Sequence, residues 1–400
     1  MSHTSYRLCI CLILSPLLLV IAGCASMPRT PYSSTEATAA LVLGRDDLRR
    51  YSDAPAASFR GQDVEWRGRR IYLALSGGGA DGAYGAGVLN GWTDAGTRPS
   101  FSIVSGVSTG ALIAPFAFLG PQYDPTLREF YTSGIAASLL DSPNPLNAIF
   151  GSGLFGNKRL RELVTHYIDA GFVAAVAGEY AKGRLLFVVT TNLDSQRTAI
   201  WDMGRIASLG TPQSLDLFRD IVAASASLPA VFPPMLIDAE ADGRRFQEMH
   251  VDGGVTAPVL TLPETFLRQT TKFATATDLQ LFILMNNKIE PEFQVVNDKT
   301  IDIASRSSST MVKAQTRSIL QRTYEFARRS KFDFNVTYIE DDWPVAPSSG
   351  FDTGYMRALF QHGYDKARSS HLWAKSPPSE RSDGPSLATV SPVGRVASGR

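Results

Sequence analysis

Apolar positions along this chain fall into two rhythms. Short continuous runs predict buried strands at Ile71–Leu75, around Ile103-Val104, at Leu185–Thr191 and at Leu279–Met285, with further strands at Gln247–Val251 and Phe334–Ile339. Between them the spacing turns helical. Helices are predicted over Ala83–Trp92, Ala111–Leu119, Leu160–Ile168, Leu215–Ala224, Ile301–Ser330 and Tyr355–Ser369. Strands alternating with helices predict an α/β domain built on a mainly parallel sheet, spanning about residues 67–372.

The two ends follow other patterns. Arg7 followed by the apolar run Leu8–Val20 and by Ile21-Ala22-Gly23-Cys24 has the layout of a targeting segment, and the run is too short for a membrane span. Residues 1–24 resemble a bacterial lipoprotein signal, with Ile21 where that pattern prefers leucine. The resemblance implies export, a lipid anchor on Cys24 and, from Ala25-Ser26, an outer-membrane destination in a Gram-negative cell. The alternative is a cleaved soluble secretory protein with an incidental cysteine. Residues 25–66 are rich in Ser, Thr, Ala and Pro without sustained periodicity, which predicts a flexible tether with a short helix at Ala39–Tyr51. Residues 373–400 read as a disordered tail.

Composition narrows the picture slightly. At 400 residues and 44% hydrophobic, the chain has material for one large core. A net charge of +1 supplies no field to hold nucleic acid, so no such partner is expected. Cys9 and Cys11 fall in the removable segment, which leaves Cys24 alone and allows no intrachain disulfide.

Candidate chemistry centres on Gly106-Val107-Ser108-Thr109-Gly110, set between a predicted strand and a predicted helix. That is the context of a nucleophile elbow, where a strained turn lifts a serine clear of the chain. Ser76-Gly77-Gly78-Gly79-Ala80-Asp81-Gly82 follows the previous strand. Consecutive glycines bring backbone N–H groups close to a substrate, and each donor aimed at an oxyanion is typically worth about 3–4 kcal/mol. The same loop matches a dinucleotide fingerprint, but the acidic residue expected about twenty positions on is missing, and no G-K-[ST] follows to make a phosphate loop. A serine also needs a base. His250 stands two residues before Asp252 and is a tempting one, yet Asp252-Gly253-Gly254 is the better-presented group, ending a strand in a tight turn. Desolvation would lift that carboxylate from its usual value near 3.9 toward useful basicity.

These blocks, with Ala224-Ser225-Ala226-Ser227-Leu228-Pro229-Ala230-Val231-Phe232-Pro233-Pro234 between the second and the last, resemble the patatin-like phospholipase family in their order. The resemblance implies a three-layer α/β/α sandwich with a mainly parallel central sheet. It implies hydrolysis of acyl esters of lipids, with Ser108 as nucleophile, Asp252 as its partner in a dyad without histidine, and Gly77, Gly78 and Gly79 as the oxyanion loop. No metal or organic cofactor is implied; the partners are a lipid substrate and, through Cys24, a membrane. Asp81 departs from the family, which usually has Arg or Lys there. Alternatives are an α/β-hydrolase triad of Ser108, Asp252 and His362, and an anchored interaction protein without turnover. Pro143–Asn157 reads as a packed connection in preference to a lid, and the basic face of Ile301–Ser330 as solvated.

Overall fold

The computed structural model describes residues 29–59, 69–138, 157–268, 278–341, 343–344, 350–369 and 371–378. The leader with Cys24, residues 143–156 of the expected connection, and the tail past 378 lie outside them.

The strands are β1 (Arg49–Tyr51), β2 (Arg70–Leu75), β3 (Ile103–Val107), β4 (Leu185–Asn192), β5 (Arg197–Asp202), β6 (Met235–Ala241), β7 (Arg244–Asp252), β8 (Leu279–Leu284) and β9 (Asp333–Thr337). All belong to one sheet. Its centre is parallel, in the order β4-β3-β2-β8-β9, and β5 and β1 extend it antiparallel at the β4 edge. β6 and β7 form a hairpin.

Side chains alternate across the sheet, and both faces are buried. Leu73, Leu75, Phe282 and Leu284 join one core with α1 (Gly82–Asp94), α2 (Thr109–Leu119), α3 (Pro212–Ser225) and α5 (Thr353–Arg368). Tyr72, Ala74, Leu281 and Ile283 join the other, against Ile319, Leu320 and Phe326 of α4 (Thr300–Ser330). The expected mainly parallel sheet between helical layers is the observed fold.

One register decides where the site lies. β3 pairs with β4 only through Val107↔Val189, whereas β4 continues to Asn192. The last three residues of β4 pair with β7 instead, Thr190↔Asp252 through Asn192↔His250. Because β5 occupies the other side of β4 over the same residues, β7 lies in the lane that β3 vacates. Ser108 and Asp252 thus arrive in that lane from opposite directions.

The expected tether is corrected. Residues 29–59 are ordered, and the predicted helix at Ala39–Tyr51 is instead a helix at Ser34–Ala39 followed by β1. Val42 and Leu48 are buried, and two arginines of the segment find partners far along the chain. Arg29 pairs with Asp194 at 2.6 Å, and the Arg49 guanidinium holds both carboxylate oxygens of Glu248. The tail boundary also moves: Leu372 is buried, and Ala374 bridges to Val336.

Burial alone would raise the Glu248 carboxyl, but hydrogen bonds from Arg49 and His250 outweigh it and hold it down at about 2. Removing one partner of a buried ion pair leaves the other uncompensated, at a cost of about 3–5 kcal/mol. Arg49→Met is therefore expected to lose that much stability in urea unfolding. Arg49→Met with Glu248→Gln should recover part of the loss, and a single variant as stable as wild type would contradict the pairing.

Candidate active site

Ser108 follows β3 directly and precedes α2. Its φ of 56° and ψ of −124° lie where side-chain-bearing residues rarely sit, the strained turn expected of an elbow. The turn closes because α2 begins hard against the end of β2: a Cβ on Gly110 would fall 2.5 Å from the Leu75 carbonyl oxygen. The Ser108 amide donates to Ser225 Oγ at 3.0 Å, and Ser225 Oγ donates to the Val189 carbonyl at 2.6 Å. A buried serine at the end of α3 thereby ties the elbow to β4.

Asp252 ends β7 and is 3% exposed. Its Oδ1 accepts from the Gly254 N–H at 2.7 Å, and the Ser108 side chain lies near enough to the carboxylate to lower its pKa. Its own N–H donates to the Ser227 carbonyl at 3.0 Å, so the segment Ser225–Ser227 braces both halves of the pair. Burial raises the carboxyl to about 6, against the lowering effect of the Ser108 side chain and the Gly254 hydrogen bond.

The glycine loop is partly as expected and partly not. The Gly77 N–H donates to the Pro258 carbonyl at 3.0 Å, so it is not free for an oxyanion and holds the loop in place instead. Among the described residues, neither the Gly78 nor the Gly79 N–H has an acceptor. Gly79 has φ of +58° and open space where a Cβ would stand, a conformation that suits glycine. Asn286, just past β8, fixes the loop from behind: its N–H donates to Ser76 Oγ and its Nδ2 to the Ser76 carbonyl, each at 2.8 Å.

The histidines lie elsewhere. His250 is wholly buried, with Nδ1 2.8 Å from Thr190 Oγ1 and Nε2 3.2 Å from Glu248; burial lowers its pKa and favours the neutral ring. His362 on α5 bonds to Glu340 at 2.8 Å and stacks on Trp343 at 4.5 Å. Neither Glu340 nor Trp343 belongs to the Ser108–Asp252 pair, so the Ser108–Asp252–His362 triad is not assembled. Asp81 precedes α1 but makes no capping bond; its carboxylate accepts from Tyr355 Oη at 3.0 Å. Burial lifts it to about 6, with Glu292 raising it further and Tyr355, Lys288 and Lys313 opposing.

Ser225, Ser227, Pro258 and Asn286 are positioning groups that sequence reasoning did not single out for their roles. Only the proline-rich end of the block holding the two serines gave a signal. Ser225→Ala should leave the fold intact, at a stability loss of no more than about 2 kcal/mol. It should lower kcat on the order of tenfold with KM little changed, because the Ser108 N–H loses its acceptor; unchanged kcat would remove Ser225 from the site.

Asp252 also sets a stability prediction. Its folded pKa, about 6, lies above the unfolded value, so its stabilising neutral form is complete below pH 4 and is lost as pH rises through 6. A gap of roughly two units is worth up to about 3 kcal/mol. Asp252→Asn should therefore be more stable than wild type at pH 8, the difference closing toward pH 4 in a series of thermal melts.

Comparison with curated proteins finds no match. Among solved structures, VipD from Legionella pneumophila is similar at 14% identity and a TM-score of 0.39, over 76% of this chain and 67% of that one. The type III effector protein ExoU is similar at 14% identity and a TM-score of 0.22, over 75% of this chain and 53% of that one. Neither superposition is close enough to carry residue roles. The sequence model described as patatin-like phospholipase matches residues 73–263, a span that holds the glycine loop, the elbow, Ser225, Ser227 and Asp252. Over residues 73–263, therefore, the chain carries a patatin-like phospholipase domain.

Proposed function

We propose that the protein is a serine acyl hydrolase acting on lipid esters, with Ser108 and Asp252 as a two-residue catalytic unit. The observation that carries this reading is the meeting of Ser108, at a strained turn, with the buried Asp252 carboxylate, whose pKa the Ser108 side chain lowers against the effect of burial. A carboxylate with a pKa of about 6 is ionised at neutral pH yet more basic than an ordinary aspartate.

In this mechanism Asp252 accepts the hydroxyl proton as Ser108 Oγ attacks the ester carbonyl carbon. The carbonyl oxygen takes up negative charge, stabilised by the Gly78 and Gly79 amides. When the intermediate collapses, the ester C–O bond breaks, and the leaving alcohol takes the proton back from Asp252. The acyl group is left on Ser108. Water, deprotonated by Asp252, then attacks the acyl-serine and releases the fatty acid, and Ser108 regains its proton. No histidine takes part. The protein is further proposed to be exported and lipid-anchored through Cys24, in the outer membrane of a Gram-negative cell, which keeps the site beside its substrate.

Ser108→Ala and Asp252→Asn should each abolish hydrolysis of long-chain phospholipid and of short-chain nitrophenyl ester, while His250→Ala and His362→Ala retain it. Full activity in Ser108→Ala would end the proposal. Because the base must be ionised, kcat/KM should rise with pH through about 6 and level off above it. Asp81 titrates in the same range, so an Asp81→Asn variant that keeps the limb assigns it to Asp252.

A further inference from the structure

The carboxyl edge of the parallel sheet, where Ser108 and Asp252 meet, is also where exposed apolar side chains gather. Two belong to the catalytic loops: Leu228 lies just past Ser227, and Val255 just past Gly254. A third, Leu193, follows the end of β4. The largest group stands on a prong made by the link from β8 and the first turns of α4.

Topology places this prong. β8 and β9 are parallel, so the link after β8 leaves from the carboxyl edge, and α4 returns from there to the opposite edge where β9 starts. Thr323 of α4 bonds to Thr261 at 2.6 Å, and Gln315 donates to the Thr256 carbonyl beside Val255. The helix upstream of Gln315 therefore projects past the mouth of the site; Thr300–Met311 is about 18 Å long. Lys313 Nζ holds the link by donating to the Glu290 carbonyl at 3.0 Å and to Glu292 at 2.6 Å, and Arg306 donates to Gln294 at 3.3 Å. With the link pinned there, Phe293 is 97% exposed, Val295 81% and Met311 66%. Met311 is one turn before Gln315, on the same helical face, and so continues the patch toward Val255.

We propose that this prong and the rim formed by Leu228 and Val255 are a surface that docks into an uncharged or zwitterionic lipid bilayer and sets the catalytic mouth against it. The inference rests on the lipid-ester reading above, and it adds the side by which the protein meets its substrate. Three observations favour a lipid surface over a protein partner. The patch is continuous with the opening an acyl chain must cross. Its charges nearly balance, with Glu290, Glu292, Asp298 and Asp302 against Lys288, Lys299 and Arg306 in residues 285–312, so no strongly charged partner is selected. And Arg29, held to Asp194 just past β4, fixes the incoming chain at the same edge; Cys24 is five residues upstream, a reach of at most about 18 Å. An anchor there and an apolar prong here would face one membrane.

Two measurements on the full chain test this. Phe293→Trp in a Ser108→Ala background, which needs no turnover, should add blue-shifted tryptophan emission on phosphatidylcholine vesicles, and brominated phosphatidylcholine should quench the added emission. Absence of that quenching overturns the proposal, including the case in which the patch binds a protein. Phe293→Ser with Val295→Ser should lower hydrolysis of phosphatidylcholine vesicles by about tenfold or more, since two apolar anchors leave the bilayer. Its rate on a monomeric short-chain ester should match wild type. Unchanged vesicle hydrolysis in that variant also overturns the proposal. If wild type hydrolyses neither ester, the catalytic reading fails, and the quenching experiment still decides the docking surface.

Discussion

The site depends on β4 being longer than β3. Where β3 stops at Val107, three residues of β4 still have a row of backbone groups to satisfy, and β7 enters antiparallel to pair with them. Two strands meeting end to end in one lane must bring the residues at their tips together. Those residues are a serine in a strained turn and an aspartate at the start of a glycine turn. The pairing of backbone amides thus positions the side chains, and the positions hold because the strand ladder resists slipping: a one-residue shift of β7 would move Asp252 to the other face of the sheet.

The surrounding interactions read as consequences of that arrangement. Ser225 and Ser227 sit at the end of α3, where it reaches the junction of the two strands, and each ties one of them: Ser225 through the Ser108 amide and Val189, Ser227 through the Asp252 amide. The glycine loop at the end of the neighbouring strand is held by Pro258 and Asn286, which leaves Gly78 and Gly79 as the amides that can face a substrate. Rigid support of this kind matters because a loosely placed donor or base contributes little to a transition state. The strain at Ser108 persists because it is fixed from several directions.

Much of this is local in sequence and for that reason legible there. A glycine on each side of Ser108, and two after Asp252, mark turns that few other residues could make, and continuous apolar runs mark strands buried on both faces. What the sequence did not disclose depends on partners far away in the chain. Arg49 looks like tether composition until Glu248, 199 positions on, neutralises it. Gly77 looks like an oxyanion donor until Pro258 takes its amide. β5 and β6 carry mixed polar and apolar residues and acquire their identity from neighbours at the sheet's antiparallel side, so no run of theirs announces a strand. His250 looks available as a base until the fold buries it and bonds its ring to Thr190 and Glu248.

Arg49 explains why the two carboxylates of β7 differ. Glu248, His250 and Asp252 alternate onto one side of the strand, and both carboxylates are buried. Burial pushes each upward, yet they end far apart. Glu248 receives Arg49 and settles at about 2, a permanently ionised structural group. Asp252 meets only neutral groups, the Gly254 amide and the Ser108 side chain, and settles at about 6. A cation placed beside Asp252 would pull it down and leave a carboxylate too weak to take a proton from serine. The fold avoids this by bringing the Arg49 guanidinium in on β1, across the far side of β5, to Glu248, four residues along β7 from Asp252. Keeping the Arg49 guanidinium away from Asp252 is what leaves that carboxylate at about 6, strong enough for the base role proposed for it.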